Sequence, residues 1–242
     1  MKSSIARTLM RLNREFYDGF ATQFADSRSA LQPGIARALG ALGPFDSLID
    51  VGCGDGRVGR ALVEGLLERP PARYLGVDFS SRLAERFKAG ARWPARYGVA
   101  VVDLTAPDWS RGLGRFDAAV CFSVLHHIPG DGRRARLLRQ IRALLNPGGR
   151  CAVSVWQVTH VDRLRRKIVD WSEAGLRGPD VDPGDYLIDW QRGGRGLRYV
   201  HELGESEMMA VCRRAGFNIG QMYRSDGATG NMGLYAILET KG

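Results

Sequence analysis

The sequence predicts an α/β fold: a mostly parallel sheet with helices on both faces and an antiparallel hairpin at its C-terminal end. Three observations carry this. Short apolar runs alternate with helical patterns from Leu48 to Val155. A glycine-rich turn follows the first apolar run. The last two strand-like runs have no helix between them. Alternation of strand and helix argues parallel pairing, because parallel strands need crossover helices. In such sheets ligands collect beyond the carboxyl ends of the strands.

The elements follow in order. Ile5, Leu9, Leu12, Phe16, Tyr17 and Phe20 recur at helical spacing, predicting a helix over about residues 4–20. Pro33 suits the first turn of a second helix that stops at Gly43-Pro44. Leu48-Ile49-Asp50-Val51 reads as a buried strand, and a helix over about 57–67 follows its glycine turn. Tyr74-Leu75-Gly76-Val77-Asp78, Val101-Val102-Asp103-Leu104 and Phe116-Asp117-Ala118-Ala119-Val120-Cys121 are further strands or strand ends. Asp50, Asp78, Asp103 and the segment after Cys121 therefore fall on one edge of the sheet. After Trp156 the rhythm breaks. Residues 161–173 read as a basic amphipathic helix, and 178–196, rich in Gly, Pro, Asp and Arg, as a long loop. A helix over about 206–215 and strands over 218–223 and 233–240 complete the chain.

The turn Asp50-x-Gly52-x-Gly54-x-Gly56 places glycines at alternate positions after a strand-ending acid. Glycine tolerates positive φ and presents no Cβ, so backbone can approach a ligand closely. The next helix points its N-terminal N–H groups into the turn. Gly54-x-Gly56-x-x-Gly59, with Asp78 at the expected distance, also matches a dinucleotide fingerprint. These residues alone leave a nicotinamide or flavin dinucleotide and S-adenosylmethionine both open.

Composition narrows the class. The chain has 242 residues, which suits one domain with a generous core or one domain with a small insertion. No apolar stretch approaches the roughly 20 residues that span a bilayer, and residues 1–7 lack the apolar core of a secretory signal. Cys53, Cys121, Cys151 and Cys212 show no paired spacing, so they are expected to be reduced core thiols of a cytoplasmic protein without metal. Thirty-five Lys and Arg against 26 Asp and Glu give a net charge of +9, carried almost wholly by arginine. Arginines cluster at 133–136, 163–167 and 192–198. Guanidinium groups suit phosphate oxygens and stack on unpaired bases. A solvated basic face accounts for the charge equally well.

Asp50-x-Gly52-x-Gly54-x-Gly56 resembles motif I of class I S-adenosylmethionine-dependent methyltransferases, and the strand ends at Asp78 and at Asp103-Leu104 resemble the family's ribose and adenine positions. Phe116–Cys121 resembles its fourth strand, and Leu145-Asn146-Pro147-Gly148-Gly149 the turn before its fifth. A narrower likeness is to the tRNA wobble-uridine carboxymethyl methyltransferases. It rests on Phe16-Tyr17-Asp18-Gly19-Phe20-Ala21-Thr22-Gln23-Phe24-Ala25-Asp26-Ser27-Arg28, on Ser123-Val124-Leu125-His126-His127-Ile128, on Val155-Trp156 and on Arg198-Tyr199-Val200-His201-Glu202-Leu203. The chain departs from that group at Val200, at Gln157-Val158-Thr159 and in lacking its long insertion.

The resemblance implies a Rossmann-like class I methyltransferase fold over residues 1–242. Cap helices would occupy about 4–42, and a substrate-side insertion about 157–203. It implies S-adenosyl-L-methionine as cofactor, with Tyr17, Asp50, Gly52, Gly54, Asp78, Phe79, Asp103, Leu104 and Ser123 as the residues that bind it. Asp78 would accept from both ribose hydroxyls, and Asp103 with Leu104 would flank the adenine. The implied acceptor is the carboxylate of a carboxymethyl group on a tRNA wobble uridine. Arg28, His126, His127 and Arg198 are the catalytic candidates, with Arg28 and Arg198 orienting the carboxylate and the histidines positioning it. Against each stands a plainer role: a structural ion pair for either arginine, and packing or a backbone hydrogen bond for the histidines. Eukaryotic members of that group use a small zinc-binding activator; whether this chain uses one is left open by its sequence. The other readings are a small-molecule O-methyltransferase and a catalytically silent basic partner subunit. The intact glycine turn and strand-end acids count against the last.

Overall fold

The structure is a computed structural model that describes residues 1–26, 30–90 and 92–240. Three N-terminal helices, α1 (Ser3–Gly19), α2 (Ala21–Asp26) and α3 (Pro33–Ala41), precede the sheet. There follow β1 (Ser47–Val51), α4 (Arg57–Val63), β2 (Arg73–Asp78), α5 (Ser81–Ala89), β3 (Tyr97–Val101), β4 (Phe116–Phe122), α6 (Asp131–Ala143) and β5 (Leu145–Trp156). Then come α7 (Asp162–Arg165), β6 (Ile168–Val169), β7 (Asp185–Trp190), β8 (Gly196–His201), α8 (Glu205–Arg214), β9 (Phe217–Ser225) and β10 (Gly233–Thr240).

Seven strands form the main sheet in the order β3-β2-β1-β4-β5-β10-β9. The first five are parallel. β10 runs antiparallel to both β5 and β9, so the sheet ends in the expected hairpin. Leu48, Ile49 and Val51 are fully buried, as a strand covered on both faces requires. Fully burying a side chain of this size contributes about 1.5–3 kcal/mol. One face packs on α6 and α8 through Leu137, Leu138, Ile141, Met208 and Val211. The other packs on α3, α4 and α5 through Ile35, Leu39, Val58, Leu62 and Phe87.

Residues 157–203 differ most from the sequence expectation. The predicted helix over 161–173 is only the single turn α7, and the predicted loop over 178–196 contains β7. Together β6, β7 and β8 make a second, antiparallel sheet. The reason is local. Ile168-Val169 are β-branched and pair with Leu187 and Ile188. Asp170 then accepts from Ser172 N–H at 2.9 Å and starts a new turn. In Asp185-Tyr186-Leu187-Ile188-Asp189-Trp190 the strand pattern was masked by the flanking Gly, Pro and Arg. The small sheet rests on α1, with Leu9 and Tyr199 buried between them.

Candidate active site

Strand register builds the site. Pairing of Asp50 with Gly76 and Val51 with Val77 brings the glycine turn alongside the end of β2. Gly52 N–H and Cys53 N–H both donate to Val77 O, at 2.7 and 3.1 Å. Asp78 then accepts from Gly54 N–H through Oδ2 at 2.9 Å and from Ser80 N–H through Oδ1 at 3.0 Å. Its burial raises the carboxyl pKa, against the pull of these backbone donors. Gly52 and Gly54 take φ of 77° and 58°. A Cβ at Gly52 would overlap the Val124 Cγ2 methyl, whereas a Cβ at Gly54 would meet no protein atom within 4 Å.

That open space at Gly54 belongs to a cavity of about 340 Å³ at the carboxyl ends of the parallel strands. Tyr17, Gly52, Gly54, Asp78, Phe79, Asp103, Leu104, Ser123 and His127 all line it. Asp50 does not. It lies beneath the turn and accepts from Tyr74 O–H at 2.7 Å, and burial pushes its carboxyl up to about 7. Asp103 holds Arg14 at 2.6 Å and accepts twice from Thr105. Partial burial would raise the Asp103 carboxyl, but the Thr105 hydrogen bonds and Arg14 outweigh it and hold it low. Ser123 has a left-handed φ of 59°, unusual for a residue other than glycine. Its Oγ accepts from the Trp156 indole at 3.2 Å.

The two histidines part ways. His126 is wholly buried off the cavity wall, and its Nδ1 accepts from Trp156 N–H at 3.3 Å. His127 faces the cavity. Its Nδ1 lies 2.9 Å from Tyr199 O, which can only accept, so Nδ1 carries the proton. Nε2 lies 2.7 Å from the Tyr17 hydroxyl and accepts its proton when the imidazole is neutral. Asn13 secures this arrangement. Its side chain accepts from Tyr199 N–H at 2.8 Å and donates to Tyr199 O at 3.0 Å and His127 O at 3.3 Å. Sequence reasoning missed Asn13; the available signal was a polar residue on the apolar face of α1.

Arg198, on β8, is 3% exposed and pairs with no carboxylate among the described residues. Its guanidinium carbon lies 4.7, 5.1 and 5.2 Å from the ring centres of Phe16, Trp156 and Trp190. Nε and Nη1 are buried without a hydrogen-bond partner. Burial pulls its pKa down, opposed by the neighbouring Tyr17 hydroxyl. Tyr17 thus stands between Arg198 and His127. Arg28 lies outside the described residues. His201 ends β8. It is buried between Asp185 and Glu207, with ring-nitrogen distances of 2.7 and 2.8 Å. Tyr199 O–H donates to Asp185 at 2.8 Å, and Arg134 binds Glu207 at 3.0 Å. This network ties β7 and β8 to α6 and α8.

Residues 49–151 match the family profile described as a methyltransferase domain. The tRNA (carboxymethyluridine(34)-5-O)-methyltransferase of Arabidopsis thaliana is 27% identical over 146 residues, covering 60% of this chain and 33% of that protein. The enzyme of that name from Schizosaccharomyces pombe is 26% identical over 179 residues, covering 73% of this chain and 66% of that protein. This chain therefore spans about a third of the plant relative's length. A solved Burkholderia thailandensis 1,6-didemethyltoxoflavin-N1-methyltransferase, with S-adenosylhomocysteine bound, aligns at a TM-score of 0.64 and 21% identity, covering 99% of this chain and 90% of that one. A chain of the Haloferax volcanii complex between the Trm112 methyltransferase activator and a methyltransferase aligns at 0.66 and 15% identity, covering 96% and 97%. Residues 49–151 are thus a methyltransferase domain in a chain with the class I S-adenosylmethionine-dependent methyltransferase fold, and S-adenosylmethionine is the cofactor. Its sequence relatives include the tRNA carboxymethyluridine methyltransferases. The residues fit that cofactor: Gly54 opens onto the cavity, the buried Asp78 borders it and Leu104 adds an apolar wall. Among the described residues no helix is long and apolar enough to cross a membrane, and no cluster of His, Cys, Asp or Glu suits a metal ion.

Proposed function

We propose that this domain methylates the carboxylate of a carboxymethyl group on a tRNA wobble uridine, giving a methyl ester. The observation that carries the reading is Arg198. A guanidinium held out of water with no carboxylate partner among the described residues, beside the Tyr17 that lines the cofactor cavity, is a receptor for an anionic acceptor. The named activity of the plant and yeast relatives supports the same acceptor.

When bound, S-adenosylmethionine supplies an electrophilic methyl group and leaves as S-adenosylhomocysteine. Asp78 would hold the ribose hydroxyls, with Gly52 and Gly54 along the amino-acid end and Asp103 and Leu104 at the adenine. Arg198 would orient the acceptor carboxylate through donors that the fold leaves unused. The Phe16, Trp156 and Trp190 rings exclude water from that contact and strengthen it. A carboxylate is already ionised near pH 7, so no proton need be removed. His127, hydrogen-bonded to Tyr17, fits a positioning role. The main contribution of the protein is then alignment of acceptor and methyl group.

A small-molecule oxygen acceptor is the second reading. Its support is the same Tyr17–His127 pair, which could take a proton from a hydroxyl. A cytoplasmic setting accords with the four free, buried thiols. A small activator protein belongs to the proposal through the archaeal relative captured with one. The deciding experiment incubates the protein with methyl-labelled S-adenosylmethionine and total tRNA lacking the methyl ester. Label that enters tRNA and is released by mild alkali supports the proposal. Alkali-stable label, or label confined to small molecules, overturns it.

A further inference from the structure

Two basic surfaces flank the site, and they are built differently. On α6, Arg136 donates to Thr105 O at 2.9 Å, Arg139 to Arg214 O at 3.4 Å and Arg133 to Ser3 Oγ at 3.5 Å. Those guanidiniums are occupied by the protein itself. Arg163, Lys167 and Arg192 make no ion pair and no side-chain hydrogen bond with any described residue.

The backbone nevertheless holds these three together. Arg163 and Lys167 are one helical turn apart, and Lys167 N–H closes that turn on Leu164 O at 3.0 Å. Lys167 O accepts from Asp189 N–H at 2.8 Å, fixing its position at the edge of the small sheet. Arg192 O accepts from the Trp190 indole at 2.7 Å, and the Trp190 ring is one wall of the Arg198 cage. In the same sheet Ile168 pairs with Ile188, and Ile188 with Arg198. Partial burial, followed by the charges of Arg163, Arg198 and Arg192, pulls the Lys167 ammonium pKa down. Asp189 opposes this, but its carboxylate is shared with Gln191 at 2.7 Å and Arg195 at 3.4 Å.

Like charges gathered without counterions destabilise a fold, and a polyanion relieves that cost. We propose that Arg163, Lys167 and Arg192 form a phosphate-binding patch that docks the RNA backbone beside the Arg198 cage. The inference rests on the RNA reading of the substrate and adds where its phosphates sit. Arg198 would receive the carboxylate inside the cage, while the outer three cations would bind the phosphodiesters of the same strand. Arg163 and Arg192 are exposed and Lys167 half-exposed, and contacts from such side chains to phosphates carry no sequence information.

The test measures binding of a fluorescent anticodon stem-loop transcript against salt for the wild-type protein, for R163Q/K167Q/R192Q and for R133Q/R139Q as the basic control. Each single-strand phosphate contact contributes about 0.7 to the slope of log affinity against log salt. The triple variant is expected to lose about 2 from that slope and at least roughly tenfold in affinity at low salt. The control should lose less than half as much. Methyl transfer to free carboxymethyluridine nucleoside should be unchanged in the triple variant. A triple variant with the wild-type slope overturns the patch and leaves the RNA substrate standing. A wild-type protein whose RNA affinity ignores salt, together with alkali-stable or absent labelling of tRNA, overturns both. Poly-glutamate bound as tightly as the transcript overturns RNA as the partner.

Discussion

Replacing His201 by alanine tests how the small sheet of β6, β7 and β8 is fastened to the rest of the fold. His201 Nδ1 lies 2.7 Å from Asp185 Oδ1, and Nε2 lies 2.8 and 2.9 Å from the Glu207 oxygens. Both ring nitrogens face acceptors, so the imidazolium is the form that fits. Burial alone would lower its pKa, but the hydrogen bonds it donates to Asp185 and Glu207 outweigh that and raise it. A raised histidine pKa contributes stability that is complete below the unfolded value of about 6.5 and is lost as pH rises through the folded value. Glu207, held low by His201 and Arg134 against partial burial, works the other way and is lost only in acid. Removing one member of a buried ion pair costs about 3–5 kcal/mol. Asp185 keeps the Tyr199 hydroxyl and Glu207 keeps Arg134, so the lower end, about 3 kcal/mol, is expected. For a chain of this size that is a fall in Tm of about 6–12 °C. Thermal melts of wild type and H201A at pH 6, 7.5 and 9 should show the largest gap at pH 6 and a narrowing gap above it. A gap that stays constant or widens with pH, or that is below about 1 kcal/mol at pH 6, refutes the coupling of charge to docking.

Three further outcomes are expected. R198M should retain or gain thermal stability, because a buried charge with no carboxylate partner among the described residues is replaced by an apolar chain of similar length. It should nonetheless lose about 10–100-fold in kcat/KM for a carboxylate acceptor while cofactor affinity stays within threefold; unchanged kcat/KM in steady-state assays would remove Arg198 from the acceptor site. D78A should weaken S-adenosylmethionine binding by about 100-fold, two charge-assisted hydrogen bonds being lost, and calorimetry giving wild-type affinity would contradict the ribose role. G52A and G54A should separate: the Cβ at residue 52 strikes Val124 and lowers Tm, whereas that at residue 54 enters the cavity and lowers cofactor affinity more than stability. Equal losses of affinity and Tm in the two variants would show that the cavity at Gly54 is not where the cofactor lies.

The legible parts were those governed by short-range rules. Strand runs ending in Asp50 and Asp78, and the glycine turn between them, announce a ligand edge because only a parallel sheet gathers such ends together. The final hairpin followed from two strands with no helix between them. Residues 157–203 were misread because short strands in a small sheet carry little periodic signal. The pairing of Ile168 with Ile188 lies between segments whose composition suggests a loop. Asn13 escaped notice because its partners, His127 and Tyr199, are 114 and 186 residues away.

The amino-acid order by itself determined the class of fold, the glycine turn and the identity of the residues at the strand tips, since each depends on neighbours a few positions apart. It also placed an arginine at 198 and histidines at 126 and 127 without deciding what any of them does. Tertiary structure decided that Arg198 is sealed among three aromatic rings with no counterion among the described residues, that His127 sets Nε2 against the Tyr17 hydroxyl and that His201 is clamped between two carboxylates. Charge state, tautomer and solvent exclusion are set by atoms brought from distant parts of the chain, and only the folded arrangement specifies them.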